Sequence, residues 1–442
     1  MVCASLSFIN YRYSTVYYVQ ERKSILEIQS DENNPAVHKR RQEPRTYANL
    51  IDAAISVANR TVRNFFQRNA PNKEVNLNAI YPEDGSDTDR IINQMNFVPK
   101  VLRPGTLTIY LPHGRQAAPT GLGAWNVRSG AHEFKIANCP VKNCEITTDK
   151  SKMDSAAAVI FRQHINGGLQ RSSPDQIWIF YNLESQEYSG SYSNYRHVIN
   201  WTATFRWDSD LVTPYERFTY EKDIPVDQKR TAYPESLLYP KKSNYAQALL
   251  KQTHYGKSKL VAWFVSHCTT ASLRESYVRQ LQHHVTVDVY GACGPLKCSR
   301  HDRRCFQMLD NDYKFYIAFE NSLCKDYVTE KFFINGLGRN VVPIVMGGRK
   351  ADYERMAPPK SFIHVDDFSS PKELAQHLQR LDKNDQLYNE YFNWKNSGRF
   401  INTKFWCRLC AMLNQPRAKS YENLQDWWNS PGTCQKPFWK EN

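Results

Sequence analysis

Two cations of this chain stand where α/β proteins hold anions. Arg274 lies near the start of a helix that follows the apolar run Val261 to Val265, and Lys331 lies in the first turn of a helix that follows Phe315 to Phe319. In doubly wound α/β domains, ligands gather at the carboxyl ends of the strands, where helix N-termini offer unpaired amides to anions. A lysine in a first helical turn opposes the helix dipole by ~0.3–1 kcal/mol, so its placement asks for a nearby anion, and a diphosphate is the obvious one. The loop between that strand and that helix reads Glu320-Asn321-Ser322-Leu323-Cys324-Lys325-Asp326-Tyr327-Val328-Thr329-Glu330. It sets carboxylate, amide, hydroxyl and phenol groups at the ligand-facing edge, a donor and acceptor set suited to sugar hydroxyls. The same composition also fits a polar loop ahead of an ordinary amphipathic helix.

The 11 cysteines include close groups, Cys139/Cys144, Cys293/Cys298/Cys305 and Cys407/Cys410. Bridges in a secreted protein and free thiols in a cytosolic one both fit. The spacing of Cys293, Cys298 and Cys305 is no zinc pattern, so a bridge is the preferred reading there. The Asn-x-Ser/Thr tripeptides at Asn59 and Asn200 tilt the reading towards the secretory pathway and mark both as candidate glycosylation positions.

The elements that must position these residues are legible from their periodicity. Lys259 to Val265 is a nearly continuous apolar strand, Leu273, Tyr277 and Leu281 make one helix face, and Thr286 to Tyr290 is a strand ending at Gly291, which together form a βαβ unit. A second unit follows: Phe315 to Phe319, a helix capped by Thr329 and stopped at Gly336 or Gly338, then Val341 to Val345 before Gly347-Gly348. Pro343 argues for an edge position of that last strand, or for a later start. Earlier in the chain, Leu107 to Leu111, Ala156 to Phe161 and Gln176 to Phe180 suit a buried parallel sheet.

Two doubly wound domains result. The polar stretch Lys229 to Ser243, with Pro234 and Pro240, separates them. Gln20 to about Lys100 is mostly polar, with one helix-like stretch from Ile51 to Phe66, and reads as a stem. The expected organisation is an anchor and stem over 1–104, a first Rossmann-like domain over 105–245, a second over 246–400 and a cysteine-containing tail over 401–442.

With 442 residues, 23 % charged and 41 % hydrophobic, the chain is neither wholly disordered nor a polytopic membrane protein. Its 58 basic against 44 acidic residues, a net +14, favour anionic partners. The basic residues are spread along the chain and no RNA or DNA module is visible, so no nucleic-acid partner is expected. The nearest approach to a membrane span, Val2 to Val19, is interrupted by Asn10 and Arg12.

The segment FYIAFENSLCKDYVTEKFFINGLGRNVVPIVMGG, from Phe315 to Gly348, resembles the signature of the α1,3-fucosyltransferases of glycosyltransferase family ten, which move fucose from GDP-fucose onto glycans. WFVSHCTTASLRESY, INWTATFRWDSDLVTPY from Ile199 and IWIFYNLES from Ile177 are similar to further blocks of that family, and the likeness runs from about Gly105 to Cys410. The Asp-Tyr-Val-Thr-Glu-Lys-Phe-Phe wording, the Phe362 to Phe368 run and the Trp406 to Cys410 segment look most like invertebrate core-type members.

The resemblance implies a GT-B-like fold, with two Rossmann-like domains facing a cleft, the acceptor-side domain over 105–245 and the GDP-fucose-binding, donor-side domain over 246–400. It implies inverting transfer of fucose in α1,3 linkage to the Asn-linked core GlcNAc of N-glycans, with Lewis-type transfer to N-acetyllactosamine or LacdiNAc antennae as the alternative. Glu184 is then the base, Arg274 and Lys331 meet the leaving diphosphate, and Asn321, Tyr327 and Glu330 contact GDP-fucose. Cys139, Cys144, Cys407 and Cys410 would tie the first domain to the C-terminal tail. No metal is expected to be required, with manganese or magnesium at most a stimulant, and Asp208-Ser209-Asp210 belongs to a structural block. The implied partners are GDP-fucose and an N-glycan or glycoprotein. The implied setting is the Golgi lumen, as a type II single-pass membrane protein whose anchor here is weak.

Overall fold

Strands buried on both faces set the architecture. In the computed structural model Leu107–Tyr110 (β1), Cys144–Thr147 (β2), Ala158–Arg162 (β3), Ile177–Asn182 (β4) and Trp201–Thr204 (β5) form a parallel sheet in the order β2-β1-β3-β4-β5. Phe218–Tyr220 (β6) leaves it to pair antiparallel with Gly398–Phe400 (β12). Lys259–Phe264 (β7), Val287–Tyr290 (β8), Tyr313–Phe319 (β9), Val342–Met346 (β10) and Ile363–His364 (β11) form a second parallel sheet, in the order β11-β10-β9-β7-β8. Numbered from its own first strand, each sheet runs 2-1-3-4-5, the doubly wound order whose ligand crevice lies where the winding reverses. In the second sheet that point is between β7 and β9. The expected pair of Rossmann-like domains in a GT-B-like arrangement is therefore present.

The structure describes residues 79–85, 89–112, 114, 127–163, 170–224, 257–299, 302–395, 397–437 and 439. The helix expected over Ile51 to Phe66, the Val2 to Val19 stretch, the Asn59 tripeptide and the Lys229 to Ser243 boundary lie outside them. No helix among the described residues is long and apolar enough to cross a membrane.

Alternation along each strand feeds two cores. Ile177, Ile179 and Tyr181 of β4 pack with the helix Phe405–Asn414, while Trp178 and Phe180 pack with Tyr192, Phe205 and Trp428. Phe315, Ile317 and Phe319 of β9 pack against Tyr277, Leu281, Leu374 and Leu378, from the helices Arg274–Gln282 and Pro371–Asp382. Its Tyr316 and Ala318 face Phe332, Phe333 and Tyr353.

Three expectations change. Residues 79–97, assigned to the stem, are packed into the first domain: Ile80 and Tyr81 join its core, Ile91 and Met95 pack with Val212, Ile224 and Ile401, and Gln94 donates to the carbonyls of Ile80 and Asp210 at 2.6 Å each while accepting from Arg408. The C-terminal segment is likewise no appended tail. Every residue of Phe405–Asn414 is buried, as expected of a helix that is apolar almost all round, and the disulfides Cys139–Cys407 and Cys144–Cys410 pin it to the first sheet. Lastly, Pro343 sits inside β10, between β9 and β11. It is tolerated because β11 is two residues long and pairs only from Ile344 onward, leaving Pro343 opposite Tyr316 alone.

Candidate active site

The first sheet contributes one carboxylate. Where β4 ends, Asn182 turns its Oδ1 to the backbone N–H of Glu184 at 2.9 Å, and Ser185 N–H donates to Glu184 Oε1 at 2.8 Å. A strand terminus and two backbone bonds thus hold the side chain at the sheet's carboxyl edge.

The second sheet contributes a ring of groups around a buried acid. Glu320, the residue after β9, is fully buried and accepts from Thr329 N–H at 2.8 Å, from Thr329 Oγ1 at 2.9 Å and from Lys331 Nζ at 3.0 Å. Its three bonds close the loop from 320 to 329 on itself. A Cβ on Gly347 would stand 2.4 Å from Glu320 Cγ, so only glycine leaves room for that acid. Thr329 also caps the short helical turn Glu330–Phe332, which widens into a π-turn over Phe333–Leu337 in place of the longer regular helix expected. Wide turns of this kind cluster at functional sites.

Closed in this way, the loop reaches the first sheet. Tyr327 Oη donates to Glu184 Oε1 at 2.8 Å, Asn321 Nδ2 donates to the same oxygen at 3.3 Å, and the hydroxyls of Ser185 and Ser322 lie 2.7 Å apart. The Tyr327 ring packs on Phe205 of the first domain at 5.0 Å. The disulfide Cys324–Cys434 ties the loop to the C-terminal segment.

Arg274 opens the helix after β7 and is nearly buried; its Nη1 donates to Phe319 O at 2.8 Å and its Nη2 to His267 O at 3.0 Å. Arg274 and the Glu320 loop thus flank the reversal point between β7 and β9. Ser272 ties the two loops together, its N–H donating to Asn321 O at 3.0 Å and its Oγ to Glu320 O at 2.8 Å.

The electrostatics follow from these partners. Burial alone would pull Lys331 down, but the Glu320 and Glu330 carboxylates outweigh it and hold the ammonium well above its ordinary value; the positive charge of Arg274 is felt there too. Glu330, 3.3 Å from Lys331 Nζ, is held below the usual carboxylate range by that lysine against the opposing effect of burial. Burial, with the acidic groups around it, pushes the Tyr327 phenol far up, so it faces Glu184 as a protonated donor.

Of the residues singled out from sequence, Glu184, Asn321 and Tyr327 meet in one cluster, Glu330 and Lys331 in an adjoining one, and Arg274 beside it. Asp208 is engaged in full by Arg206, and buried Asp210 accepts from Thr202, Lys419 and Tyr421. Cys293 pairs with Cys268, and Cys298 with Cys305.

Asn200 departs from its reading as a glycan acceptor. It is buried between strands, its Oδ1 accepting from Trp178 N–H and its Nδ2 donating to Lys419 O, both at 2.8 Å, so the nitrogen that would carry a glycan is a core hydrogen-bond donor. Glu320 and Ser322 were read only as part of the polar loop, and neither they nor Ser185 and Ser272 carried a role of their own in the sequence. Glu320 had a signal, since it is the first polar residue after a seven-residue buried strand.

Family models and curated relatives match most of the chain. Residues 254–427 match the C-terminal model of glycosyltransferase family 10 (fucosyltransferase), and residues 119–216 match the fucosyltransferase N-terminal model. The chain is 44 % identical over 372 residues to glycoprotein 3-alpha-L-fucosyltransferase A of Drosophila melanogaster, covering 82 % of this chain and 69 % of that one. It is 32 % identical over 385 residues to alpha-(1,3)-fucosyltransferase fut-1 of Caenorhabditis elegans, covering 84 % and 81 %. A solved α1,3-fucosyltransferase with GDP-fucose aligns with a TM-score of 0.46 and 16 % identity over 75 % of this chain and 97 % of that one. With both halves matched by family models and relatives of this similarity aligned over most of the length, the chain belongs to the fucosyltransferases of glycosyltransferase family 10.

Proposed function

We propose that the protein transfers L-fucose from GDP-fucose, with inversion, in α1,3 linkage to the Asn-linked core GlcNAc of N-glycans. One observation carries the reading: Glu184 of the first sheet is clasped by Tyr327 and Asn321 of the second, beside the edge that presents Arg274 and Lys331. Inversion needs an acceptor hydroxyl on the sugar face opposite the departing GDP, and a base to take its proton. Glu184 Oε1 is occupied by three donors, and Oε2, without a partner among the described residues, is the oxygen left to accept that proton. General-base help of this kind contributes ~10²–10⁴ in rate.

On the other side, the diphosphate gains negative charge as the glycosidic bond breaks. Fixed cations that meet that charge lower the barrier more than they strengthen ground-state binding. Lys331, held ionised by its two carboxylates, and Arg274, at the reversal point, are assigned this role. Glu330, Asn321 and Tyr327 lie on the same loop and are assigned to the donor as well. The cations make a metal unnecessary for the chemistry, with manganese or magnesium at most stimulatory. The core acceptor is favoured by the glycoprotein specificity in the name of the Drosophila relative. The five disulfides among the described residues favour an oxidising compartment, and we place the activity in the Golgi lumen.

The test is incubation with GDP-fucose and core-trimmed N-glycopeptides against Lewis-type acceptors, with and without EDTA, followed by linkage mapping. Fucose should appear α1,3-linked on the Asn-linked GlcNAc, with most of the rate kept in EDTA. Transfer only to antennae would replace the core assignment with the Lewis-type one, and loss of all turnover in EDTA would overturn the metal-free chemistry.

A further inference from the structure

Tyr327 reaches Glu184 from a turn that a deeper network holds in place. Asp326 sits at φ +63°, in the left-handed region, with its carboxylate buried. Its Oδ2 accepts from the backbone N–H of Trp207 at 2.9 Å, so a donor-side carboxylate is bonded to the backbone of the acceptor-side domain just past β5. Its Oδ1 accepts from Arg355 Nη2, which also donates to Asp352 Oδ1 at 3.0 Å. The Asp326 N–H donates to Asp352 Oδ2 at 2.7 Å, and that oxygen also accepts from Arg349 N–H at 3.0 Å. The Arg355 guanidinium lies 5.1 Å from the centre of the Trp207 ring.

Two buried carboxylates sharing one half-exposed arginine make an expensive arrangement for stability alone, because like charges in a poorly solvated site disfavour each other's ionised form. Burial first, then the Asp352 carboxylate, push Asp326 up to about 6, against Trp207 N–H and Arg355, which favour the ion. A backbone in the left-handed region one residue before Tyr327 adds to the cost. What the arrangement secures is geometric: it joins the two domains one residue away from the phenol that holds Glu184.

We propose that Asp326 is a positioning residue for fucosyl transfer: its carboxylate latches the donor-side loop to the backbone of Trp207 and so sets the Tyr327 hydroxyl on Glu184. The proposal rests on the reading of Glu184 as the base. Asp326→Asn is the informative variant, since asparagine tolerates the left-handed backbone and keeps the shape, yet its amide must present a donor either to Arg355 or to the Trp207 N–H.

The expected result is a fall in kcat of ~10–100-fold, the scale of a misplaced reacting group, with the KM for GDP-fucose held within about twofold. Tyr327→Phe should lower kcat by a similar factor, with any rise in its KM for GDP-fucose reporting its own contact with the donor, and in kcat the double variant Asp326→Asn/Tyr327→Phe should lose little beyond the larger single loss, because both act on the same hydrogen bond to Glu184. A normal kcat per folded molecule, a rise in KM at constant kcat, or fully additive losses would each overturn the proposal. Should Asp326→Asn fail to fold, Arg355→Lys, which keeps the cation but not the guanidinium that donates to both carboxylates, is read by the same criteria. Glu184→Gln is measured alongside. Full turnover there would remove the base assignment itself, whereas a dead Glu184→Gln with a normal Asp326→Asn would sink only the latch.

Discussion

The two sheets share one winding order, yet they place their chemistry differently. In the second sheet the assigned groups straddle the reversal point, with Arg274 after β7 and the Glu320 to Lys331 loop after β9. In the first sheet the reversal lies between β1 and β3, and the assigned carboxylate, Glu184, follows β4 instead. The half assigned to the donor follows the general rule for ligands of open α/β sheets, and the position of the assigned base answers to the loop it must face across the interface. The halves also differ in how they are closed. The second core is covered by helices close in sequence to its strands, while the first is completed by a helix some 270 residues downstream, held by disulfides spanning 268 and 266 residues.

The sharpest test of the contrast in chemistry is one substitution on each side. Glu184→Gln is expected to lower turnover by ~10²–10⁴, and Lys331→Ala by a comparable factor, measured as GDP release dependent on an N-glycan acceptor. A small effect in either would leave one half without a catalytic role.

The contrast in closure is tested through the disulfides. On the chain-entropy model a bridge closing a loop of that length stabilises by about 5 kcal/mol, but the second of two nearly parallel bridges closes only a short residual loop and adds about 3 kcal/mol. Removing Cys139 and Cys407 as serines should therefore lower stability by about 3 kcal/mol in denaturant titration, and removing all four cysteines by clearly more than twice that. A single-bridge loss nearly as large as the four-cysteine loss would show that the helix does not keep its seat once one bridge is gone.

Gly347→Ala drives a Cβ into Glu320 and should destabilise by ~1–3 kcal/mol while lowering kcat, since Glu320 holds Lys331. The pH dependence has a definite sign. The folded-state value of Lys331 is raised above 10.5, so its contribution to stability is fully present below that pH and is lost as pH rises through the folded value. Lys331→Ala should flatten the alkaline limb of the stability curve. The smallest effect is expected for Lys325→Ala: this lysine is partly exposed and 3.9 Å from Asp208, and turnover should stay within about twofold.

Legibility follows the same division. Both βαβ units of the donor half, the Thr329 cap and the two cations were readable because each is encoded within a few turns of chain. Asn200 misled because the tripeptide says nothing of burial, and Pro343 because the short reach of β11 is invisible in the strand's own residues. The stem reading of residues 79–97 failed because Gln94 and Tyr81 look polar until the distant groups that satisfy them, Arg408 and Arg417 N–H among them, are in place.

The order of strands and helices, the sign and placement of the cations, and the content of the loop from 320 to 331 are properties of the sequence by itself, because backbone propensity and side-chain period act over a handful of neighbours. Tertiary structure alone decided that Tyr327 would hold Glu184, that Cys139 would meet Cys407, and that the helix Phe405–Asn414 would fill the first core. Each of these joins residues more than a hundred positions apart, and such contacts arise only when two finished surfaces bury each other.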